Sequence, residues 1–126
     1  VGLHIGDNDI NILEARKILG NNRIIGISCY NSIDKALNAE ANGANYVSFG
    51  SMFPTKNKKK YTLCSHDVLE EAKKHIKIPI CVIGGINHKN IESFSKIKPD
   101  MISMISGIFS EQKPSKIVTI MNTFNE

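Results

Sequence analysis

Short apolar, β-branched runs alternate along the chain with longer segments whose apolar residues recur at helical spacing. Strands that alternate with helices in this way predict parallel strands joined by crossover helices. The chain therefore reads as one α/β domain over residues 1–126, made of about five β-α units. The predicted strands are residues 1–5, 24–28, 46–50, 80–83 and 101–105.

The predicted helices have recognisable boundaries. Polar residues that precede a periodic segment are candidate N-caps, and a glycine that follows one is a typical end. Gly20 and Gly43 are such ends, and residues 117–124 form the last periodic segment. Pro54 to Ser65 shows no periodicity and is predicted to be a long polar loop. The candidate caps are Asp7 or Asp9 for the first helix, Ser32 for the second and Asn87 for the fourth.

Two architectures share this pattern: an open doubly wound sheet and a closed (β/α)8 barrel. The strands are nearly continuous apolar runs, as in sheets that are covered on both faces. A barrel normally needs at least about 200 residues, and this chain has 126. The five units are therefore either a complete sheet or the later part of a barrel. In both folds, the functional site lies at the carboxyl ends of the strands.

The amino-acid composition narrows both the class of protein and the kind of ligand that it binds. The chain is 41% hydrophobic and 22% charged, as in an ordinary globular protein. No apolar run approaches the roughly 20 residues that cross a bilayer. Much of the net charge of +4 lies in Lys56–Lys60, where only Tyr61 could stack on a base, so we expect a small anionic ligand or a solvated loop rather than nucleic acid. Three cysteines without a CxxC pair favour a reducing, cytoplasmic compartment.

The last two strand ends carry glycines that suit an anion. Gly84-Gly85 follows one strand and Ser106-Gly107 follows the next. Glycines allow backbone N–H groups to approach a ligand closely, and barrel enzymes often bind phosphate in the loops after strands seven and eight. The alternative is that these glycines only form tight turns.

Other strand ends carry candidate chemistry. Asp9 could ligate Mg²⁺, which prefers carboxylate oxygens together with waters and substrate phosphates; the alternative is a helix cap. The segment Thr55–Lys58 offers hydroxyl, amide and ammonium donors that suit a phosphate lid, whereas Lys59 and Lys60 fit a solvated loop. His4 lies within a strand and is expected to be a hydrogen-bonded, partly buried residue rather than a catalyst.

Five segments, in order, resemble thiamine-phosphate synthase. Each segment alone is modest, but five in register over about residues 1–110 are specific. The matching segments are LHIGDND (3–9), GISCYN (26–31), ANYVSFGSMFPT (44–55), IGGI (83–86) and SMISGIF (103–109).

This resemblance implies a (β/α)8 barrel of which the chain provides strands four to eight, with Val1 in the fourth strand and Met101 in the last. It also implies a cytoplasmic transferase of thiamine biosynthesis. That family joins hydroxymethylpyrimidine diphosphate to thiazole phosphate, releases pyrophosphate and requires Mg²⁺. A barrel cannot close with five strands, so the resemblance also implies that an N-terminal barrel half, or self-association, is needed.

The resemblance assigns roles to individual residues. Asp9 matches an Mg²⁺-binding aspartate, and Ser28 matches a serine on the side of the pyrimidine substrate. Lys58 matches the lysine that contacts the diphosphate, so Ser28 and Lys58 are the expected catalytic residues. The residues that match contacts to the thiazole phosphate are Thr55, Lys56, Asn57, Gly85, Ile105 and Ser106.

The chain also departs from the family pattern. Asp7 stands where glutamine is usual, and Asn57 stands where threonine is usual. The second Mg²⁺ aspartate and a basic diphosphate-binding segment would precede Val1. Two alternatives stay open: a thiazole tautomerase of the same fold, which would use a histidine where this chain has Tyr30, and a non-catalytic half-barrel that binds phosphate ligands.

Overall fold

The computed structural model describes residues 2–54 and 62–103. Within them, strands and helices alternate as the sequence predicts. Residues 55–61 and 104–126, including the predicted last helix and the end of the fifth run, lie outside the described part. The elements are β1 (Gly2–Ile5), α1 (Ile12–Leu19), β2 (Ile24–Tyr30), α2 (Ile33–Ala41), β3 (Tyr46–Phe49), α3 (His66–His75), β4 (Ile80–Ile83), a 3₁₀ helix (Ile91–Phe94) and β5 (Met101–Ser103).

The strands form one five-stranded sheet in the order β1-β2-β3-β4-β5, and every neighbouring pair is parallel. A doubly wound sheet reverses its strand order at a switch point, and this sheet does not. Because parallel crossovers are right-handed, a sequential order places the connecting helices on the same face. The predicted α/β class with a parallel sheet is confirmed.

The strand register gives the sheet two different faces. On the helix side, Ile25, Val47 and Ile80 are buried in one cluster with the inner residues of the helices, including Ala36 and Leu69. On the opposite face, His4 pairs in register with Gly26, which pairs with Tyr46; Ser28 pairs with Ser48. We call this second side the open face. It carries polar side chains and the exposed Ile83 and Met101.

The helix caps agree only in part with the prediction. Ser32 caps α2, since its side chain accepts a hydrogen bond from the Lys35 N–H. The expectation that Asp7 or Asp9 caps α1 is wrong, because Asn11 accepts from the Glu14 N–H and the helix begins at Ile12. The carboxylates stay outside the helix.

The fourth helical segment is shorter than predicted. Asn87 does not cap an α-helix; its side-chain oxygen accepts from the N–H groups of Lys89 and Asn90 in a turn. A single 3₁₀ helix follows, in which Ile91 and Phe94 are fully buried. The apolar spacing predicted which side chains face the core but not the type of helix.

Side chains at the amino ends of the strands hold the sheet together. Arg16 donates to the carbonyls of Arg23 and Gly43 and to Oδ1 of Asn45, and that same oxygen accepts from the Ile25 N–H at 2.7 Å. Likewise, Oδ2 of Asp100 accepts from the Ile80 N–H at 2.8 Å. These contacts lie opposite the carboxyl ends, so they stabilise the sheet without occupying the end where a site is expected.

Within residues 2–54 and 62–103, no helix is long and apolar enough to cross a membrane.

Replacing Arg16 by alanine should lower the free energy of unfolding by about 2 kcal/mol, because several carbonyl acceptors lose a charged donor. Urea denaturation of the variant measures this change. Lys17→Ala is the matched control, since Lys17 is the next residue of α1 and is exposed; it should change the unfolding free energy by less than about 0.5 kcal/mol. Equal effects of the two substitutions would contradict the role given to Arg16.

Candidate functional site

A groove of about 250 Å³ opens at the carboxyl ends of β1 and β2, and Asp9, Ser28 and Lys35 are among its lining residues. The structure therefore brings together two residues that the sequence selected, Asp9 and Ser28, although they lie on different β-α units. The carboxyl end of the sheet is the location that the fold class predicts for a site.

Asp9 belongs to a tight turn that follows β1. Its Oδ2 atom accepts a hydrogen bond from the Gly6 N–H at 2.8 Å, and its own N–H donates to the Gly6 carbonyl at 3.1 Å. These bonds hold the carboxylate at the groove. The Oδ1 atom has no hydrogen-bond partner among the described residues, so one carboxylate oxygen is available to a ligand.

Asp7, Lys35 and Tyr30 form a second contact group at the same edge. The Nζ atom of Lys35 lies 2.7 Å from Oδ1 of Asp7 and 4.9 Å from the centre of the Tyr30 ring. The hydrogen bond that Lys35 donates to the Asp7 carboxylate raises the pKa of Lys35. Tyr30 accepts a hydrogen bond from the Asp7 N–H through its hydroxyl. Asp7 is therefore already paired with a cation, whereas Asp9 has no such ion pair with the residues that the structure describes.

Sequence reasoning did not identify Lys35 as a groove residue. The available signal was its position in the first turn of α2, directly after Ser32, because the first turn of a crossover helix starts at the carboxyl end of the preceding strand. Its contact with Asp7, 28 positions away, depends on the strand pairing and is not visible in the local sequence.

Ser28 lies on the open face in contact with His4. The His4 Nε2 atom is 2.6 Å from Oγ of Ser28, and Nδ1 is 2.8 Å from the hydroxyl of Tyr46. Desolvation lowers the pKa of His4, and the negative charge of Asp9 opposes this in part. The predicted hydrogen bonding of His4 is confirmed; the residue is accessible to solvent, but the desolvation that lowers its pKa shows that its ring is partly buried.

The glycine pair after β4 is required by the close approach of another segment. Gly84 and Gly85 have φ values of +100° and +66°. A Cβ atom on Gly84 would collide with Ser51, and one on Gly85 would lie 2.7 Å from the Pro54 carbonyl oxygen. The two segments also pair through their backbones, since the Phe53 N–H donates to the Gly84 carbonyl at 3.1 Å. The positive φ values and the close approach of Ser51 and Pro54 therefore require glycine at both positions, independently of any ligand.

Ser51 connects both ends of the long loop after β3. Its N–H donates to the Thr62 carbonyl at 2.6 Å, and its carbonyl accepts from the Cys64 N–H at 2.8 Å. The loop thus leaves the sheet beside Gly85 and returns beside Ser51. Residues of the predicted site that lie within this loop or after β5 are outside the described part: Thr55, Lys56, Asn57, Lys58, Ile105 and Ser106.

Other chemistries find little support in residues 2–54 and 62–103. No group of three or more histidine, cysteine or acidic side chains is close enough there to hold a metal ion alone. Burial raises the pKa of Cys29 to about 12 and that of Cys64 to about 11, so neither is a ready thiolate nucleophile. A single carboxylate such as Asp9 still fits Mg²⁺, which usually takes one or two carboxylates and completes its shell with water and phosphate.

Relatives of known name share this sequence over most of its length. The chain is 43% identical to a thiamine-phosphate synthase of Clostridium acetobutylicum over 112 residues, which are 89% of this chain and 53% of the relative. It is 38% identical to a thiamine-phosphate synthase of Thioalkalivibrio sulfidiphilus over 113 residues, which are 90% of this chain and 54% of the relative. The chain thus spans about half the length of these relatives.

Solved structures also resemble this chain. A thiamine phosphate pyrophosphorylase from Pyrococcus furiosus superposes with a TM-score of 0.81 at 33% identity, covering 98% of this chain and 58% of that one. A 3-hexulose-6-phosphate synthase superposes with a TM-score of 0.66 at 17% identity, over 98% of this chain and 62% of that one, which shows a shared fold alone. The family model described as thiamine monophosphate synthase matches residues 1–108, and the chain belongs to that family.

Proposed function

We propose that the chain forms strands four to eight of a (β/α)8 barrel, as a single unit over residues 1–126. The sequential parallel order supports this, because consecutive β-α units of a barrel follow one another around the sheet in this way. The coverage also supports it, since this chain matches most of itself but only about half of each relative. In a closed barrel, the open face would become the interior.

We propose further that the assembled barrel is a thiamine-phosphate synthase. It would join hydroxymethylpyrimidine diphosphate to thiazole phosphate, giving thiamine phosphate and pyrophosphate. The observation that carries this proposal is that Asp9 and Ser28 lie together at the carboxyl ends of β1 and β2, where the charge of Asp9 acts on His4, the hydrogen-bond partner of Ser28. The substrates proposed for this site are those of the family to which the chain belongs.

The reaction needs charge stabilisation more than proton transfer. The bond between the pyrimidine methylene carbon and the diphosphate oxygen breaks, and both electrons leave with the diphosphate. The thiazole nitrogen then donates its lone pair to that carbon. An Mg²⁺ ion held by Asp9 would supply positive charge that stabilises the departing diphosphate. The chain's own task is to orient the two substrates and to neutralise charge as it develops.

Each site residue has a part in that task. Asp9 would hold the magnesium ion, and Ser28 would contact the pyrimidine substrate. Lys58 would donate to the diphosphate and stabilise its growing charge. The contacts to the thiazole phosphate would come from Thr55, Lys56, Asn57, Gly85, Ile105 and Ser106. The close approach of Pro54 to Gly85 supports this grouping, because Pro54 directly precedes Thr55 in the sequence.

The synthase is favoured over its tautomerase sibling. The sibling uses a histidine in the loop after its fifth strand, where this chain has Tyr30. The Tyr30 hydroxyl accepts from the Asp7 N–H, and its ring contacts the Lys35 ammonium. It is therefore part of the packing at this edge and lacks the basic nitrogen that proton transfer at a thiazole carbon requires.

The proposed site is incomplete without a partner. Among the described strands, β1 pairs only with β2 and β5 only with β4, so each has one unpaired edge. Unpaired parallel edges associate readily with other strands. The missing elements would be the β-α units that precede the fourth strand, and a second copy of this chain is the other candidate.

The isolated 126-residue chain should show little or no synthase turnover, whereas a chimera that restores the preceding units should be active. The chimera would join the corresponding N-terminal part of the Clostridium acetobutylicum relative to residues 1–126. Release of pyrophosphate from the two substrates measures turnover, and tautomerase activity is assayed in parallel. Turnover by the monomeric chain alone would contradict the incomplete-site proposal, and tautomerase activity without synthase activity would contradict the assigned reaction.

Asp9→Asn in this chimera should raise the Mg²⁺ concentration needed for half-maximal activity by about ten-fold or more, because the metal loses an anionic ligand. The amide oxygen can still accept from the Gly6 N–H, so the turn is preserved. Asp7→Asn is the matched control, since that carboxylate is paired with Lys35. An equal shift in both variants would show that the effect is general surface charge.

Lys58→Ala should lower kcat of the chimera by about 100-fold or more, as expected when a donor to a developing negative charge is removed. Lys60→Ala removes the same charge from the same loop and should change kcat by less than about two-fold. Calorimetric titration with pyrophosphate, with and without Mg²⁺, checks that the loss is in diphosphate binding. Similar kcat values for wild type and Lys58→Ala would remove Lys58 from the mechanism.

A further inference from the structure

Three polar side chains from three adjacent strands meet on the open face. His4 of β1 pairs in register with Gly26 of β2, which pairs with Tyr46 of β3. Ser28 lies two positions after Gly26 and therefore on the same face of β2. His4 is the central member, since it contacts both Tyr46 and Ser28.

The position of Tyr46 is fixed by the strand between it and His4. A Cβ atom on Gly26 would overlap the Tyr46 ring, so the ring lies directly over the backbone of β2. The rings of Tyr46 and His4 stack with centroids 5.7 Å apart and an interplanar angle of 26°. The phenol hydroxyl is thus held against one particular nitrogen of His4, Nδ1, at 2.8 Å.

The chemistry of the three groups sets the direction of the hydrogen bonds. A phenol is a stronger donor and a weaker acceptor than an aliphatic alcohol, so the Tyr46 O–H donates to Nδ1 of His4. A neutral imidazole that accepts at Nδ1 carries its proton on Nε2. The Nε2–H then donates to Oγ of Ser28. The Ser28 hydrogen cannot point back at this donor and is available to another acceptor.

The protonation of the two rings is consistent with this direction. Desolvation lowers the pKa of His4 below its ordinary value, which keeps the imidazole neutral near pH 7. Desolvation also raises the pKa of Tyr46, with a smaller contribution from Cys81, so the phenol retains its proton. Both shifts favour the protonation states that the hydrogen bonds require.

We propose that His4 and Tyr46 are positioning residues, which together orient the Ser28 hydroxyl as a hydrogen-bond donor toward a ligand. This inference rests on the proposed function for one point, that the ligand at Ser28 is the pyrimidine substrate. It predicts that the ligand atom that meets Ser28 is an acceptor, such as a ring nitrogen or a phosphate oxygen. It also predicts that Tyr46 acts on the ligand only through His4 and Ser28.

The first test observes His4 directly in the 126-residue chain. Long-range ¹H–¹⁵N spectra of the imidazole distinguish the two neutral tautomers, and the expected form carries its proton on Nε2. Tyr30→Phe, which removes a phenol hydroxyl outside this group, should leave the His4 spectrum unchanged, whereas Tyr46→Phe should shift the Nδ1 signal. A proton on Nδ1 in the wild-type chain, or no response to Tyr46→Phe, would overturn the proposal.

The second test is a double-mutant cycle in the active chimera. Tyr46→Phe keeps the ring over Gly26 and should reduce kcat/KM by about ten-fold, while Ser28→Ala should reduce it by about 100-fold. The double variant should be no worse than Ser28→Ala alone, because Tyr46 has no separate route to the ligand. Losses that multiply to about 1,000-fold would show an independent role for Tyr46 and would refute the inference.

The two tests keep the inference separate from the proposed function. If the chimera lacks synthase activity, the proposed reaction fails, but the tautomer of His4 still decides whether Ser28 is oriented as a donor. If the chimera is active and His4 carries its proton on Nδ1, the reaction stands and the positioning role fails.

Discussion

The pairing of parallel strands in sequence order is the constraint on which the rest of the structure depends. Each strand joins the sheet beside the one before it, so all carboxyl ends lie along one edge and all crossover helices lie on one face. This order places Asp9 and Ser28, which belong to neighbouring β-α units, at the same edge of the sheet. The same order brings residues 51–54 against the glycines that follow β4. As a consequence of this order, one face and two edges of the described sheet are left uncovered.

The two ends of the sheet have different roles. At the amino ends, Arg16, Asn45 and Asp100 bond to backbone groups and fix the strands in register. At the carboxyl ends, Asp9 keeps one carboxylate oxygen without a described partner. The stabilising contacts thus lie at the amino edge and the candidate site lies at the carboxyl edge, as in barrel enzymes generally. A lost hydrogen bond at the first edge changes how firmly the site is held, and one at the second changes what the site binds.

The sequence predicted the fold well because its strands are strongly apolar and its helices strongly periodic. The prediction failed where alternative local structures differ little in free energy. Asp7, Asp9 and Asn11 are all acceptable caps, and only the turn that binds Asp9 to Gly6 selects Asn11. It missed Lys35 and the His4–Tyr46 contact because both depend on partners many positions away. The contact of Gly85 with the thiazole phosphate stays a prediction, and the close approach of Pro54 to this glycine is a property of the packed structure.

Ser51 accepts and donates backbone hydrogen bonds at the points where the loop after β3 departs and returns. Because both attachment points are defined by the main chain, the intervening residues can vary in length and composition while the sheet stays the same. In the proposed synthase, natural variation or laboratory selection in that loop would therefore alter ligand preference without first repairing the scaffold.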